Sequence, residues 1–236
     1  MAKKKKAPRK KASSKKPKKP QCWFGGLPQA SVQEAFDLLA GTIKPVSDLE
    51  FGSPYELLVA VVLSAQATDT SVNAATRQLF PVANTPAAMV ELGVEGVKEF
   101  IRKIGLFNGK AKNVVALSEL LLRDHGGEIP ETRKELVALP GVGRKSANVV
   151  LNVAFGQPTI AVDTHVHRVS NRLGIAETTK PDHTELALLE RTPEEHLLNA
   201  HHYLILHGRY CCKARKPNCA ACPVFDLCPH EPKVME

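Results

Sequence analysis

Residues 139–163 read LPGVGRKSANVVLNVAFGQPTIAVD, and the fold follows from the two turns this stretch must make. Pro140 ends the amphipathic segment before it, Gly141 and Gly143 permit the positive φ of a tight turn, and Arg144-Lys145 open a new helical pattern. Two helices joined this way form a hairpin. Its unpaired backbone N–H groups and positive helix end suit an anion, and a DNA phosphate meets that demand. The stretch is not a Walker loop, because Arg144 separates Gly143 from Lys145. A helix from Gly143 to Phe155 carries the chain about 18 Å away. After Gly156-Gln157-Pro158 breaks it, the extended stretch Gln157–Val162 can return about 20 Å, bringing Asp163 back to Lys145. One amine and one carboxylate then share a spot beside an anion-binding turn.

Outward from this stretch, the periodicity is helical almost throughout. Ser31–Ile43, Pro54–Gln66, Asp69–Leu79, Val94–Ile104, Lys110–His125 and Glu131–Ala138 place apolar residues three and four apart, and later helices are expected at Thr164–Leu173, His183–Glu190 and Pro193–His207. No stretch alternates as a strand does, so the expected class is all-α. The motif KxxNVV opens two of these helices, at Lys110 and at Lys145. A shared preference for starting a helix accounts for it better than a repeat.

At 236 residues and 43% apolar, the chain can bury one core or two small ones. It has neither a membrane-length apolar run nor a secretory h-region, so a soluble, unsecreted protein is expected, cytoplasmic and nucleoid-associated if prokaryotic. The net charge of +8 is uneven: residues 1–20 hold ten Lys and one Arg with no acid, leaving 21 basic against 24 acidic residues beyond them. Residues 1–22 are expected to be a disordered basic tail, acting either as a counterion-releasing arm on nucleic acid or as a solvated extension. The same lysines leave a nuclear-import reading open.

Six cysteines in an unsecreted chain favour metal ligation over disulfides. Cys212, Cys219, Cys222 and Cys228 follow Cx6Cx2Cx5C, so four thiols converge on one short loop. One CxxC pair with two wider arms departs from the paired spacing of zinc sites and favours [4Fe–4S], although spacing alone leaves zinc open. Cys211 is a fifth thiol beside the set, and Cys22 lies far away in sequence. Between the first two ligands, Lys213, Arg215 and Lys216 sit on a tethered loop suited to phosphate. The pairs His165/His167 and His201/His202 do not share a helix face and are not read as metal pairs.

Together LPGVGRKSANVV, VDTHVHR, LSAQATD at 63–69 and HGRYCCKARKPNCAACPVFDLC resemble the endonuclease III family of DNA glycosylases, from about Ser31 to Cys228. The resemblance implies a helix-hairpin-helix DNA glycosylase fold of two helical lobes with double-stranded DNA in the cleft between them. One lobe would be a six-helix barrel at 47–157, the other an iron–sulfur domain of 23–46 plus 158–236. It also implies a [4Fe–4S] cofactor and removal of oxidised pyrimidines followed by strand cleavage at the abasic site. Lys145 would then be the nucleophile and Asp163 its electrostatic partner. The hairpin residues Gly141, Gly143 and Arg144 would grip phosphate, Gln66 would fill the hole left by an everted nucleotide, and Leu106 would wedge the opposite stack. The field of the helix end and of Arg144 would disfavour the Lys145 ammonium. Asp163 is equally a helix N-cap for the segment opening at Thr164.

Two other readings remain. A monofunctional mismatch glycosylase would use Asp163 to activate water and would not need Lys145. A non-catalytic DNA-binding or redox module would need neither residue. Nothing in the sequence calls for an oligomer, and a monomer is expected.

Overall fold

The computed structural model describes residues 26–235; the basic tail and Cys22 lie outside them. Among the described residues the elements are eleven helices with no strand: α1 (Gln29–Thr42), α2 (Pro54–Ser64), α3 (Asp69–Leu79), α4 (Pro86–Ile101), α5 (Phe107–His125), α6 (Arg133–Ala138), α7 (Arg144–Phe155), α8 (Thr164–Arg172), α9 (Pro181–Arg191), α10 (Glu194–Leu197) and α11 (Ala200–Tyr210). None of these helices is long and apolar enough to cross a membrane.

Two hydrophobic cores organise them. The first is built around α2, whose residues Leu57–Leu63 are all buried, and draws in Leu79, Met89, Ile101, Leu117, Leu121, Leu136 and Val150 from α3 to α7. A helix apolar on every face has no solvent side, so α2 runs through the middle of its core. The second core joins Val32, Phe36 and Leu39 of α1 to Val166 and Val169 of α8, Leu188 of α9, and Leu204 and Ile205 of α11. The return segment runs between the two, with Ala161 in the first core and Ile160 and Val162 in the second. That alternation is how it can deliver Asp163 to their junction.

Side chains the sequence marks as caps start several helices. Ser53 accepts from the Glu56 N–H, Thr68 from Ser71, Thr85 from Ala88 and Thr132 from Glu135. α4 begins at Pro86 rather than at the expected Val94, on a Thr-Pro start like the Ser-Pro start of α2. Gly93 explains the difference: with φ of 69° it kinks α4, and the periodicity was legible only beyond the kink. The single helix expected over Pro193–His207 is two, α10 and α11, because the chain turns at Leu198-Asn199 so that Leu198 O accepts the Asn152 amide at 2.9 Å.

Buried imidazoles on α11 make stability depend on pH. Burial, then the neighbouring His202 and Lys145, press the His201 pKa down to about 3, and burial also lowers that of His202. From about 6.5 down to about 3 the unfolded chain binds more protons at His201 than the folded one, and His202 shifts the balance in the same direction. Stability is therefore expected to hold above about pH 6.5 and to fall below it, by up to about 1.4 kcal/mol per pH unit for each imidazole. Urea unfolding midpoints at pH 7.5 and 5 check this, against a double His201→Asn/His202→Asn variant in which the drop should shrink.

Candidate active site and cysteine loop

The hairpin turn is held from below by Leu139 and Val142, both buried. Gly141 has φ of 79°, and a Cβ there would lie 2.9 Å from Asn113 Nδ2, so both backbone and space demand glycine. Gly143 differs from expectation. Its φ is −92°, extended backbone any residue adopts, and it is the N-cap of α7 with no side chain to bond the first amides. A Cβ at Gly143 would meet nothing within 4 Å. What glycine leaves here is open approach to the helix end, rather than a left-handed turn.

Arg144 is turned to a protein partner. Its Nε donates to Glu185 Oε2 at 2.8 Å and an Nη to Oε1 at 3.1 Å, with Asp182 at 3.9 Å. Arg133 reaches the same buried carboxylate at 3.4 Å, so two guanidinium groups clamp the hairpin to α9. Its charge is thus compensated, and the positive field left at Lys145 comes chiefly from the N-terminus of α7.

Lys145, one residue further, lies exposed in a cleft lined by Asp48, Asp69, Ser64, His201, His202 and Arg209. Asp163 is the N-cap of α8: its Oδ1 accepts the N–H groups of His165 and Val166, each at 2.8 Å. No hydrogen bond among the described residues uses its second oxygen. His201 lines the cleft with Lys145, and its Nδ1 lies 2.8 Å from Ala161 O, two residues before Asp163; the charges of Lys145 and Asp163 both act on this buried ring.

Arg209 of α11 closes this cleft from the side. It pairs with Asp48 and with Asp69, the latter at 2.6 Å, tying the second core to the segment before α2 and to α3. A second hollow adjoins the first across this bridge, lined by Thr68, Thr70, Asn73, His165 and Tyr210 as well as the three bridging residues. The sequence reading missed Arg209, Asp48, His201 and His202 as site residues. Their partners lie up to 161 residues away, and no local pattern marks them.

Among the described residues three non-glycines have positive φ, namely Gln66 (55°), Leu106 (60°) and Lys216 (50°). Each is a position the sequence reading singled out for DNA contact. Gln66 sits between α2 and α3; Leu106 is the N-cap of α5 and 66% exposed, the most exposed leucine of the described residues. The two loops meet, since a Cβ on Gly105 would touch Gln66 O at 3.8 Å. Backbone held in the left-handed region without glycine costs of order 1–3 kcal/mol and marks sites where orientation matters. Lys213, Arg215 and Lys216 are exposed on the cysteine loop.

That loop surrounds a cavity lined by Cys212, Cys219, Cys222 and Cys228, with Cys211, His207, Leu173 and Phe225 in its walls. All five of these cysteines are free. The Cys222 thiol is pushed up to about 12 by burial, and burial also raises Cys228, so without a cation these two thiols keep their protons. Four free, half-buried thiols around one mostly apolar cavity suit a cubane cluster. The loop is pinned from α8: Arg172 donates to Lys213 O at 2.7 Å and approaches Cys212 Sγ at 3.5 Å, while Arg168 donates to Cys212 O at 3.0 Å. Cys211 turns to Asn218 O at 3.3 Å and forms a tight group with His207 and Cys222.

Comparison with known proteins agrees with this geometry. Residues 59–194 match the family model described as HhH-GPD superfamily base excision DNA repair protein, and residues 212–228 match the iron-sulfur binding domain of endonuclease III. The second match begins and ends on cysteines of the set. Endonuclease III of Escherichia coli strain K12 is 60% identical over 80% of this chain and 90% of its own length; that of Treponema pallidum is 47% identical over 86% and 96%. A solved structure titled as a trapped endonuclease III–DNA covalent intermediate superposes with a TM-score of 0.81 at 43% identity, covering 86% of this chain and 96% of that one. A thermostable thymine-DNA glycosylase superposes at 0.73 with 25% identity.

Proposed function

The chain belongs to the endonuclease III family within the HhH-GPD superfamily of base excision repair proteins, and from that premise we propose that Lys145 and Asp163 carry its chemistry. It is a bifunctional DNA glycosylase and abasic-site lyase with a [4Fe–4S] binding domain, acting on DNA. The single observation that supports the residue assignment is that Lys145, at the hairpin's second helix, shares a cleft with His201, which is hydrogen-bonded at 2.8 Å to Ala161, two residues before Asp163.

The substrate class we assign is duplex DNA with an oxidised pyrimidine or an abasic site. The hairpin amides at Gly141 and Gly143 hold a phosphate, Gln66 enters the space of the everted nucleotide, and Leu106 separates the opposite bases. With the sugar in the cleft, the uncharged Lys145 amine forms a bond to C1′ as the glycosidic bond breaks, its electrons leaving with the base. Asp163, through the oxygen not engaged in capping, stabilises the positive charge on the sugar. Ring opening gives a Schiff base, loss of a 2′ proton expels the 3′ phosphate, and water then releases Lys145. Borohydride, which reduces that Schiff base, tests the reading: a covalent adduct with abasic duplex supports it, and duplex bound without an adduct or a cut favours the binding-module alternative.

We assign the cluster ligands as Cys212, Cys219, Cys222 and Cys228, in an iron–sulfur domain of 23–46 plus 158–236 beside a barrel of 47–157. The cluster, when bound, supplies four covalent anchors and a redox centre. The chain's own residues then hold Lys213, Arg215 and Lys216 toward phosphate. Cys212→Ser is expected to lose most of the visible iron–sulfur absorption and Cys211→Ser to keep it, because the Cys211 side chain is bonded to Asn218. Absorption per mole of protein checks this.

The tail at 1–22 is assigned as an electrostatic arm and the protein as a monomer working wherever the genome lies. Deleting residues 1–20 is expected to flatten the dependence of DNA affinity on salt while leaving the trapping rate on bound DNA unchanged. Binding titrations at several salt concentrations measure it.

A further inference from the structure

His201 is 5% exposed on α11, and its Nδ1 lies 2.8 Å from Ala161 O. A carbonyl only accepts, so Nδ1 carries the proton. In an uncharged ring Nε2 is then left with its lone pair, and the ring lines the cleft beside Lys145. Ala161 stands two residues before Asp163 in the segment that brings the carboxylate back.

We propose that His201 is a positioning residue of the Lys145–Asp163 centre: it fixes the segment carrying Asp163 through Ala161 O, while its ring forms part of the wall of the cleft that holds Lys145. The inference rests on the catalytic assignment made above and extends it to a residue that touches no substrate. A return segment of six extended residues has no sheet to hold its register, so its position depends on such bonds. Asn148 supplies one from α7, its amide donating to Ile160 O at 3.1 Å, and His201 supplies the next from α11. The two hold adjacent carbonyls from opposite sides, which fixes where Asp163 emerges.

The ring's charge state follows from its surroundings. The charges of Lys145 of α7 and Asp163 at the start of α8 act on the imidazole, the ring of His202 of its own helix stands edge-on at 5.3 Å, and Asp48, Asp69 and Arg209 line the rest of the cleft. Burial, then His202 and the adjacent amine, keep His201 unprotonated through the working pH range, so the ring stays in the single-proton form whose Nδ1–H bonds Ala161 O. It takes no proton in the reaction; that of Lys145 leaves to Asp163 or solvent.

Three variants separate this role from packing. His201→Phe keeps the ring and removes both nitrogens. His201→Asn places an amide N–H where Nδ1 was, and His201→Gln places a polar group nearer Nε2. Single-turnover borohydride trapping on abasic duplex is expected to slow about a hundredfold for His201→Phe, with the DNA concentration for half-maximal rate unchanged. His201→Asn should recover most of the rate and His201→Gln should not. A rate within twofold of wild type in a folded His201→Phe protein overturns the proposal, as does failure of His201→Asn to recover it while its unfolding midpoint stays normal. If His201→Phe does not fold, the His201→Asn rate alone decides. Trapping that survives Lys145→Ala would instead defeat the catalytic assignment, whatever the His201 variants do.

Discussion

Lys145→Ala is expected to abolish borohydride trapping on abasic duplex, a loss of at least about 10³-fold, while binding to the same duplex stays within a few fold. The separation follows from where the side chain sits. The features of the hairpin proposed to bind phosphate are backbone amides around Gly141 and Gly143, and Arg144 is held by Glu185, so none of them depends on the lysine side chain. Lys145 is exposed in the cleft and has no ion-pair partner among the described residues, so its removal breaks no contact that holds α7 in place. A binding module without chemistry would show no adduct even before substitution. A mismatch glycosylase that relies on Asp163 and water would keep base release in the variant.

Asp163→Asn separates two functions of one side chain. As N-cap, Asp163 accepts two N–H groups through a single oxygen, and asparagine caps equally well, so unfolding stability should change by less than about 0.5 kcal/mol. In its proposed role as the charge that stabilises the sugar it has no substitute, and trapping is expected to fall about 10²–10³-fold. Asp163→Ala should lose the same rate and about 1 kcal/mol of stability as well. Denaturant midpoints and single-turnover rates on the three proteins give the two effects independently. Equal losses of stability in Asn and Ala variants would mean the carboxylate charge, rather than the cap, holds α8.

What the sequence made legible was local. The turn at Gly141, the extended stretch that ends at Asp163 and the four-thiol loop are each written within 25 residues, where spacing dictates much of the geometry. The start of α4 was legible in Thr85-Pro86, but the kink at Gly93 put the two halves of the helix out of phase and hid it. What could not be read were partnerships across the chain. Arg144 was expected at phosphate and is met by Glu185, 41 residues on; Arg209 bridges Asp48 and Asp69, more than 130 residues earlier. His201 and His202 carried no expected role, and their place in the cleft depends on how α11 packs against α8. The strain at Gln66, Leu106 and Lys216 was also invisible, because nothing in a glutamine, leucine or lysine signals positive φ.

The most direct measurement is to digest the borohydride-trapped adduct of the full chain and locate the modified residue by mass spectrometry. The account predicts one reduced sugar remnant, on Lys145. A remnant on a tail lysine, or on Lys110 in the matching KxxNVV context, with residue 145 unmodified, would contradict it.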